Sequence, residues 1–376
     1  MAGLYIHIPY CKQACHYCDF HFSTNISQKS QLVSAICQEI KLQKNYLENE
    51  PLETLYFGGG TPSLLDMSEF ESIFKAIHDH FSFQPEMEIT IEGNPDDLDK
   101  EKIFSLKALG VNRLSIGVQS FDDTILKFLN RSHNSSQSKE CVKAAQEAGF
   151  NNISLDLIYA IPGRTSKLLV EDLNQFVLLN PQHISAYSLT VEEKTAFGKW
   201  QALKKFFATS DEENALQFEI VMDALQQGGF DQYEISNYAK PGFISRHNSN
   251  YWKQIKYLGL GPSAHSFSGS SRQANVSNNH TYVKSIASGI IPTLQEILSR
   301  EDHINEYLMT SIRTSWGCDL NFLLTQYQYD LATHQEVYIR ESLAAGLLHI
   351  AGEKIILSRK GKMLADKISS DLFLLP

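Results

Sequence analysis

Short runs rich in β-branched and aromatic residues alternate with helical patterns through the first two thirds of the chain. The six predicted strands span residues 4–8, 53–57, 86–92, 112–118, 152–160 and 183–189. A segment with apolar residues at helical spacing follows each strand, as at Leu32, Ile36 and Ile40 after the first one. Such alternation is typical of parallel strands with helices packed outside them. The six units predict an α/β fold, an incomplete (β/α)6 barrel related to the eight-unit TIM barrel.

The pattern changes near residue 232, which divides the chain into two predicted domains. Residues 1–232 are expected to form the partial barrel, and residues 233–376 a smaller mixed α+β domain. The end of the second domain is predicted as a helix, a hairpin around Gly352 and a helix, a winged-helix-like arrangement. On an acidic chain we expect such a unit to pack against protein, not to read DNA. In the first domain, Ser68 and Glu71 are predicted to cap the second helix.

Charge and hydropathy limit where the protein works and what it binds. The net charge of −10 disfavours nucleic acid or an anionic membrane surface as a partner. No apolar run reaches the roughly 18–20 residues needed to cross a bilayer. The N-terminal stretch MAGLYIHIPYC does not follow the pattern of a secretion signal. We therefore expect a cytoplasmic protein, whose thiols stay reduced.

Three of the six cysteines, Cys11, Cys15 and Cys18, lie within eight positions directly after the first predicted strand. A disulfide would leave one of them unpaired, so we expect the loop to hold a metal ion or a cluster. Zinc with His16 as a fourth ligand is one interpretation. The other is a four-iron cluster, in which three cysteines leave one iron open to a small chelating molecule. The remaining cysteines are predicted to be small buried hydrophobic residues.

The motifs around these cysteines resemble those of a known superfamily. Cys-x3-Cys-x2-Cys, with Tyr17 before the last cysteine, is similar to the cluster loop of radical S-adenosylmethionine (SAM) proteins. YFGGGTPS, IEGNP, SIGVQSF, LNRSH and SLDLIYAIPG follow in the order found in the oxygen-independent coproporphyrinogen III oxidase group. The resemblance implies a 4Fe-4S cluster on Cys11, Cys15 and Cys18, with SAM chelating the open iron. It also implies that the reduced cluster cleaves SAM to a 5′-deoxyadenosyl radical.

The same resemblance implies a set of SAM-binding residues at the carboxyl ends of the strands, where barrel enzymes carry their chemistry. These residues are Tyr5, Tyr17, Gly59, Gly60, Thr61, Glu92, Gln119, Arg131 and Asp156. The glycines permit a close backbone approach to the ligand. In the oxidase that the chain resembles, a second SAM is contacted by five residues, whose positions match Gly60, Thr61, Gln119, Arg131 and Asp156. The sequence leaves open whether a second SAM binds.

Two functional classes compete within this group. One is an oxidase that decarboxylates coproporphyrinogen, and the other is a haem chaperone of the HemW-like type. The oxidases carry a further cysteine two positions after the third, where this chain has Phe20, and an extension with no counterpart before Leu4. RHNSNYW (246–252) matches the His-Asn-x-x-Tyr-Trp signature of HemW-like proteins. These features favour the chaperone.

The signature also contains candidate haem-binding residues. His247 offers an imidazole to haem iron, and Tyr251 and Trp252 offer flat faces to a porphyrin. His265, in GLGPSAHSF, is a weaker candidate. The expected cofactors are thus a 4Fe-4S cluster, SAM and haem. The expected partners are haem and a haem-acceptor protein that could be membrane-associated. Homodimer formation stays open, and no nucleic acid is expected.

Overall fold

Six parallel strands form a curved sheet in the first half of the chain, as the sequence predicts. The computed structural model describes residues 1–374. The strands are β1 (Ala2–Ile8), β2 (Leu52–Gly59), β3 (Phe83–Gly93), β4 (Arg113–Gln119), β5 (Ile153–Tyr159) and β6 (His183–Ser188). Each strand pairs in parallel with the next one along the chain. The incomplete barrel is therefore confirmed.

Helices connect these strands and cover the outer face of the sheet. They are α1 (Lys29–Leu42), α2 (Met67–His80), α3 (Lys100–Ala108), α4 (Asp123–Phe128), α5 (Ser135–Glu147), α6 (Ser166–Leu178), α7 (Ala196–Ala202) and α8 (Asp211–Gln227), with a 3-10 turn at Pro62–Leu64. Their apolar faces join one core with the sheet, as at Ile36, Phe70 and Phe176. Cys141 on α5 lies in this core, whereas Cys37 on α1 is half-buried.

Alternate residues of each strand point to opposite faces, and the two faces differ in chemistry. Outward positions carry apolar side chains, among them Leu4, Phe57, Ile91, Leu114 and Leu155. Inward positions carry polar side chains, among them Tyr5, Tyr56, Glu92, Ser115 and Asp156. A closed eight-stranded barrel is normally filled by branched apolar residues. This lumen is polar instead, so its strands enclose a potential ligand site.

The sheet continues beyond residue 232, on both sides of the six parallel strands. The additional elements are β7 (Asp231–Gln232), β8 (Asn237–Ala239), α9 (Arg246–Trp252), β9 (Tyr257–Leu260), β10 (His265–Phe267), β11 (Ser271–Asn275), α10 (Asn279–Ala287) and β12 (Thr293–Ile297). Within residues 1–374, the sheet contains twelve strands in the order β12-β11-β10-β9-β1-β2-β3-β4-β5-β6-β8-β7. Because β9 runs parallel to β1, the loop after β9 lies at the same end as the cysteine loop.

The last part of the chain forms a second unit with its own core. Its elements are α11 (Arg300–Ile312), β13 (Cys318–Asp319), α12 (Leu320–Tyr327), α13 (Leu331–His334), α14 (Glu336–Ala344), β14 (Leu348–Ala351), β15 (Lys354–Leu357), α15 (Arg359–Lys362) and α16 (Ala365–Asp371). The strands form an antiparallel sheet in the order β13-β15-β14. The predicted hairpin around Gly352, between helices, is present. Cys318 is buried in this core, as predicted.

The predicted domain boundary at residue 232 stays a prediction, and the structure suggests a later one. Strands β9 to β12 belong to the large sheet, and the second core begins at Ile304. We propose that the boundary lies near residue 298. The predicted second domain ends at residue 376, and residues 375–376 lie outside the described residues.

The cap of α2 differs from the predicted one. The N-cap lies two residues earlier than expected: Asp66 with Glu69 forms the capping box, and the Asp66 amide donates to Glu69 Oε2 at 2.9 Å. The predicted pair, Ser68 and Glu71, lies inside the helix. Both pairs fit the same sequence pattern, and Asp66 is the one that follows an extended residue. No helix within residues 1–374 has the length and hydrophobicity to span a membrane.

A buried carboxyl group on α1 fixes the segment that follows β9. Glu39 is fully buried and accepts bonds from Gly261 N at 2.8 Å and Tyr282 Oη at 2.6 Å. It also accepts bonds from Asn275 Nδ2 at 2.7 Å and Gln43 Nε2 at 2.9 Å. One side chain thus ties α1 to the β9–β10 loop, β11 and α10.

Replacing Glu39 should therefore destabilise the fold. We expect Glu39→Ala to lower the free energy of unfolding by about 3 kcal/mol, because four buried donors lose their acceptor. Urea denaturation measures the change. Glu71→Ala, at an exposed position of α2, is the control and should change stability by less than about 0.5 kcal/mol. A Glu39→Ala protein as stable as that control would contradict this role.

Candidate cofactor site

The three clustered cysteines lie on the loop that follows β1, at the carboxyl end of the barrel strands. The loop is anchored to the chain that returns from it, because the Cys11 amide donates to Ser23 O at 3.1 Å. The Cys18 amide donates to Cys15 O at 3.3 Å, which turns the loop back on itself. All three thiols are half-buried. They are thus held together at the mouth of the polar lumen.

Two hydrogen-bond donors contact the thiol sulfurs. Thr61 Oγ1 donates to Cys11 Sγ at 3.4 Å, and Arg131 Nη1 lies 3.4 Å from Cys15 Sγ. Burial raises the pKa of the Cys11 thiol, and likewise that of Cys18, to about 11. Both thiols are therefore protonated near pH 7 without a metal, and metal binding would have to displace their protons.

Arg131 joins the cysteine loop to β3 and β4. Its Nη2 donates to Gly117 O at 2.8 Å and to Asn94 Oδ1, while Nη1 donates to the Tyr17 hydroxyl at 3.3 Å. The predicted residues Tyr17 and Arg131 are thus in direct contact beside Cys15. The Arg131 Nε atom is buried and has no hydrogen-bond partner within residues 1–374. This N–H group is therefore available to donate a hydrogen bond to a ligand.

The alternative zinc ligand, His16, is turned away from the thiols. Its Nδ1 is 2.9 Å from Phe128 O, and its ring packs edge-on against Trp200 at 4.7 Å between centroids. Among the described residues, no group of three or more His, Cys, Asp or Glu is arranged around a single ion. A cubane cluster binds each cysteine through a different iron, so its donors are more widely spaced. The donor set fits a 4Fe-4S cluster with one open iron.

The glycines after β2 leave a cradle that any side chain would fill. Gly59 has φ +111°, and a Cβ there would come within 2.6 Å of the His7 ring. A Cβ on Gly60 would come within 2.7 Å of the Tyr10 carbonyl. Thr61 is buried and accepts a bond from Asn94 Nδ2 at 3.2 Å. This backbone, beside the thiols, fits the predicted site for the amino end of SAM.

Two further predicted residues meet inside the lumen. The Tyr56 hydroxyl donates to Glu92 Oε1 at 2.6 Å, and a Cβ on Gly58 would approach both Glu92 and Tyr5. The Tyr5 hydroxyl is 3.1 Å from His7 Nδ1. Burial raises the pKa of the Glu92 carboxyl to about 7. Glu92 and Tyr5 thus line the same polar lumen, and their role in binding SAM stays a prediction.

Gln119 and Asp156 lie on the neighbouring strands. Gln119 ends β4 with φ +66° and is buried. Asp156 lies on the inward face of β5 and accepts a bond from Ser115 Oγ at 3.4 Å. Burial raises the pKa of Asp156 to about 6. Together with Arg131, these side chains line the far wall of the same lumen.

Sequence reasoning missed several lumen residues, and Arg113 is the charged one nearest the start of β4. This first residue of β4 is only 1% exposed, and its charge acts on Glu92 and Asp156. Within residues 1–374, its side chain makes no hydrogen bond or ion pair, and its Nε atom is buried. Strand periodicity could have identified Arg113 as a lumen residue. It shares one face of β4 with Ser115 and Gly117, and the opposite face of that strand is apolar.

The predicted haem residues of α9 lie at the opposite end of the lumen. His247 is only 2% exposed, with Nδ1 at 2.8 Å from Thr54 Oγ1 and Nε2 at 2.9 Å from the Tyr251 hydroxyl. Its ring stacks on Tyr56 at 4.8 Å. Trp252 is half-buried, with its indole nitrogen enclosed. In this arrangement both His247 nitrogens are engaged, so α9 closes the base of the barrel.

His265, the weaker haem candidate, lies at the cysteine end. It is exposed at the start of β10, next to the loop that follows β9, and its charge acts on His7. Its ring makes no hydrogen bond to any described residue. Burial of part of the ring lowers the pKa of His265, which favours the neutral form that binds iron.

Known proteins are similar in sequence to this chain over nearly its whole length. The chain is 34% identical over 371 residues to "Heme chaperone HemW" of Bacillus subtilis, covering 98% of each protein. It is 33% identical over 368 residues to the protein of the same name from Lactococcus lactis, covering 97% of this chain and 95% of that protein. The chain belongs to the HemW family.

Domain models agree with this family assignment, and a solved structure has the same fold. The Radical SAM superfamily model matches residues 5–176, and the HemN C-terminal domain model matches residues 298–364. HemW of Escherichia coli is 36% identical over 267 residues, covering 70% of this chain and 69% of that protein. The structure of coproporphyrinogen III oxidase (HemN) from Escherichia coli superposes with a TM-score of 0.86 at 22% identity, covering 99% of this chain and 90% of that one. This chain therefore shares the fold of HemN.

Removal of one thiol should prevent cluster assembly in this HemW-family protein. We expect anaerobically reconstituted wild type to hold about four irons per chain, and Cys18→Ser to lose most of this iron and its iron–sulfur absorbance. Cys37→Ser, which removes a half-buried thiol of α1, is the matched control and should keep wild-type loading. Equal loading of Cys18→Ser and Cys37→Ser would rule out the assigned ligands.

The charge state of the lumen can be tested with Glu92→Gln. The pKa of Glu92, raised by burial from 4.5 to about 7, means that the folded protein retains a proton that the unfolded chain has released. Ionisation of Glu92 therefore costs stability as pH rises through that window. Relative to wild type, we expect the free energy of unfolding of cofactor-free Glu92→Gln to increase between about pH 5 and pH 8. A constant difference over that range would contradict the assignment.

Proposed function

We propose that this protein is a cytoplasmic haem chaperone of the radical SAM type. It binds a 4Fe-4S cluster and SAM at the mouth of the partial barrel, binds haem, and transfers the haem to an acceptor protein. The observation that carries the proposal is the 34% identity, over 98% of both chains, to a protein named as a haem chaperone.

The residues at the mouth support the cofactor part of the proposal. Cys11, Cys15 and Cys18 would hold the cluster, and the backbone of Gly59 and Gly60 would lie against the amino end of SAM. When bound and reduced, such a cluster supplies the electron that cleaves SAM. The chain's own contribution is to hold the thiols through Thr61 and Arg131, and to keep the polar lumen apart from bulk water.

The structure bears on which histidine would bind haem iron. His247 would have to break its contact with Thr54 or Tyr251 before either ring nitrogen could reach a metal. His265 is exposed, and both of its ring nitrogens are without partners among the described residues. We therefore assign the iron-binding role to His265, and assign His247 to holding α9 against the barrel base.

The competing function is oxygen-independent coproporphyrinogen III oxidation. The fold match to HemN and the intact thiol cluster are compatible with it. However, this chain has Phe20 where the oxidases carry a fourth clustered cysteine, and that ring is 72% exposed at the mouth. The similarity to proteins named HemW also favours the chaperone.

A direct comparison of two tetrapyrroles separates the functions. Anaerobically reconstituted protein is given haem in one experiment, and coproporphyrinogen III with SAM and a reductant in another. We expect a stoichiometric Soret band with haem and no decarboxylated product by chromatography. Efficient conversion to protoporphyrinogen IX would replace this proposal with the oxidase.

Two variants test the histidine assignment. We expect His265→Ala to weaken haem binding at least about tenfold, because the iron loses its ligand. His280→Ala, at an exposed position of α10, is the control and should bind as wild type does. His247→Ala should lower stability while the folded fraction keeps its haem affinity within about threefold. Loss of haem binding in a folded His247→Ala protein, with no loss in His265→Ala, would reverse the assignment.

A further inference from the structure

The cysteine loop lies against the carboxyl end of α4. The His16 amide donates to Leu129 O at 3.1 Å, and the His16 ring nitrogen Nδ1 lies 2.9 Å from Phe128 O. A helix leaves its last carbonyl oxygens without intrahelical partners, so these two oxygens can accept bonds from the loop. The end of α4 therefore holds the loop at the residue that follows Cys15.

Asn130, which directly follows this helix end, adds two side-chain hydrogen bonds to the loop. Its Nδ2 donates to Ala14 O at 2.7 Å, and its Oδ1 accepts from Gln13 Nε2 at 2.6 Å. The Asn130 carbonyl oxygen accepts a further bond from Gln13 Nε2 at 3.1 Å. Both loop residues lie between Cys11 and Cys15, so one amide side chain fixes the stretch of chain that joins two of the thiols.

The ending of α4 does not by itself call for this side chain. Asn130 has φ +59° and ends the helix in a Schellman arrangement, with the Arg131 amide donating to Leu126 O at 2.9 Å. Glycine fits that left-handed position best, and asparagine tolerates it. Helices α3 and α5 end in the same arrangement at Gly110 and Gly149, where an added Cβ would meet no atom within 4 Å. The side chain of Asn130 thus serves the loop and not the helix.

We propose that Asn130 is a positioning residue for the iron–sulfur cluster, because its amide side chain holds the chain between Cys11 and Cys15 in the conformation that binds the cluster. This inference rests on the proposed function, since it concerns the cluster site. The side chain acts through Gln13 and Ala14, so Asn130 is not itself a ligand.

A fixed loop matters because a cubane cluster needs three thiolates at set positions, each on a different iron. Thr61 and Arg131 contact the sulfur atoms of Cys11 and Cys15 at 3.4 Å. Asn130 instead holds the backbone from which those sulfur atoms project. A loop that already has its binding conformation loses less conformational freedom when the cluster assembles, and it therefore holds the cluster more tightly.

The rate of iron release tests this role without an assay of function. Cluster-loaded wild type, Asn130→Gly and Asn180→Gly would be mixed anaerobically with excess chelator, and the loss of iron–sulfur absorbance followed. Asn130→Gly suits the left-handed backbone and removes both side-chain bonds to the loop. We expect it to lose iron at least about fivefold faster than wild type, since one hydrogen bond contributes roughly that factor.

Asn180→Gly is the matched control. Asn180 follows α6 with φ +55°, and its amide donates to Val177 O at 2.9 Å, so it ends that helix in the same left-handed conformation. Its side chain accepts a bond from Lys240, and among the described residues it makes none with the cysteine loop. We expect Asn180→Gly to release iron at the wild-type rate.

The stability of the cofactor-free proteins separates positioning from a general structural role. Urea denaturation should give Asn130→Gly and Asn180→Gly the same midpoint within error, because glycine suits both backbone positions. Equal rates of iron release from wild type and Asn130→Gly, or a lowered midpoint in Asn130→Gly alone, would overturn the inference. Failure of wild type to assemble any cluster would instead refute the proposed function.

Amide hydrogen exchange reads the position of the loop directly and needs no cluster. In cofactor-free protein, we expect peptides that cover residues 11–18 to exchange faster in Asn130→Gly than in Asn180→Gly, and the barrel strands to exchange equally. Unchanged exchange of the loop in Asn130→Gly would overturn the inference, whether or not the protein binds a cluster.

Discussion

The alternation of side chains along six parallel strands determines the rest of the structure. One face of each strand is apolar and packs against the helices, so folding buries a continuous core outside the barrel. The other face is polar and encloses a lumen with Glu92, Asp156 and Arg113. Apolar side chains inside the barrel, as in closed eight-stranded barrels, would have stabilised it without burying any charge. The retained polar lumen instead holds charges whose desolvation the fold must compensate, which is typical of a binding site.

The two ends of the lumen have different roles. At the carboxyl end, Thr61 from the turn after β2 and Arg131 both contact the cysteine loop, so these residues predicted to hold the cluster and SAM lie together. At the other end, α9 closes the base through His247 and its bonds to Thr54 and Tyr251. The HNSNYW motif thus maintains the barrel in this structure, and an accessible imidazole, His265, is found at the cysteine end.

Much of this architecture could be predicted because it depends on local patterns. Strand alternation identified all six parallel strands, and cysteine spacing predicted a cluster loop whose three thiols the structure brings together after β1. The prediction of the capping residues of α2 was wrong because two pairs, Asp66–Glu69 and Ser68–Glu71, fit the capping-box pattern. Only the position at which the helix begins distinguishes them. Strands β9 to β12 were missed because they are short and lie in a loop-rich segment. The positions of His247 and Arg113 depend on contacts between distant segments, which spacing in one sequence does not reveal.

The central claim is that three thiols at the mouth of the lumen hold an iron–sulfur cluster with one iron open to SAM. The most direct test is electron paramagnetic resonance of the reduced, anaerobically reconstituted protein, with and without SAM labelled with ¹⁵N or ¹⁷O in its methionine part. The account predicts a cluster signal that changes when SAM is added and shows hyperfine coupling to the labelled amino and carboxylate atoms. A stoichiometric zinc ion with no iron–sulfur signal, or a cluster signal indifferent to SAM, would contradict it.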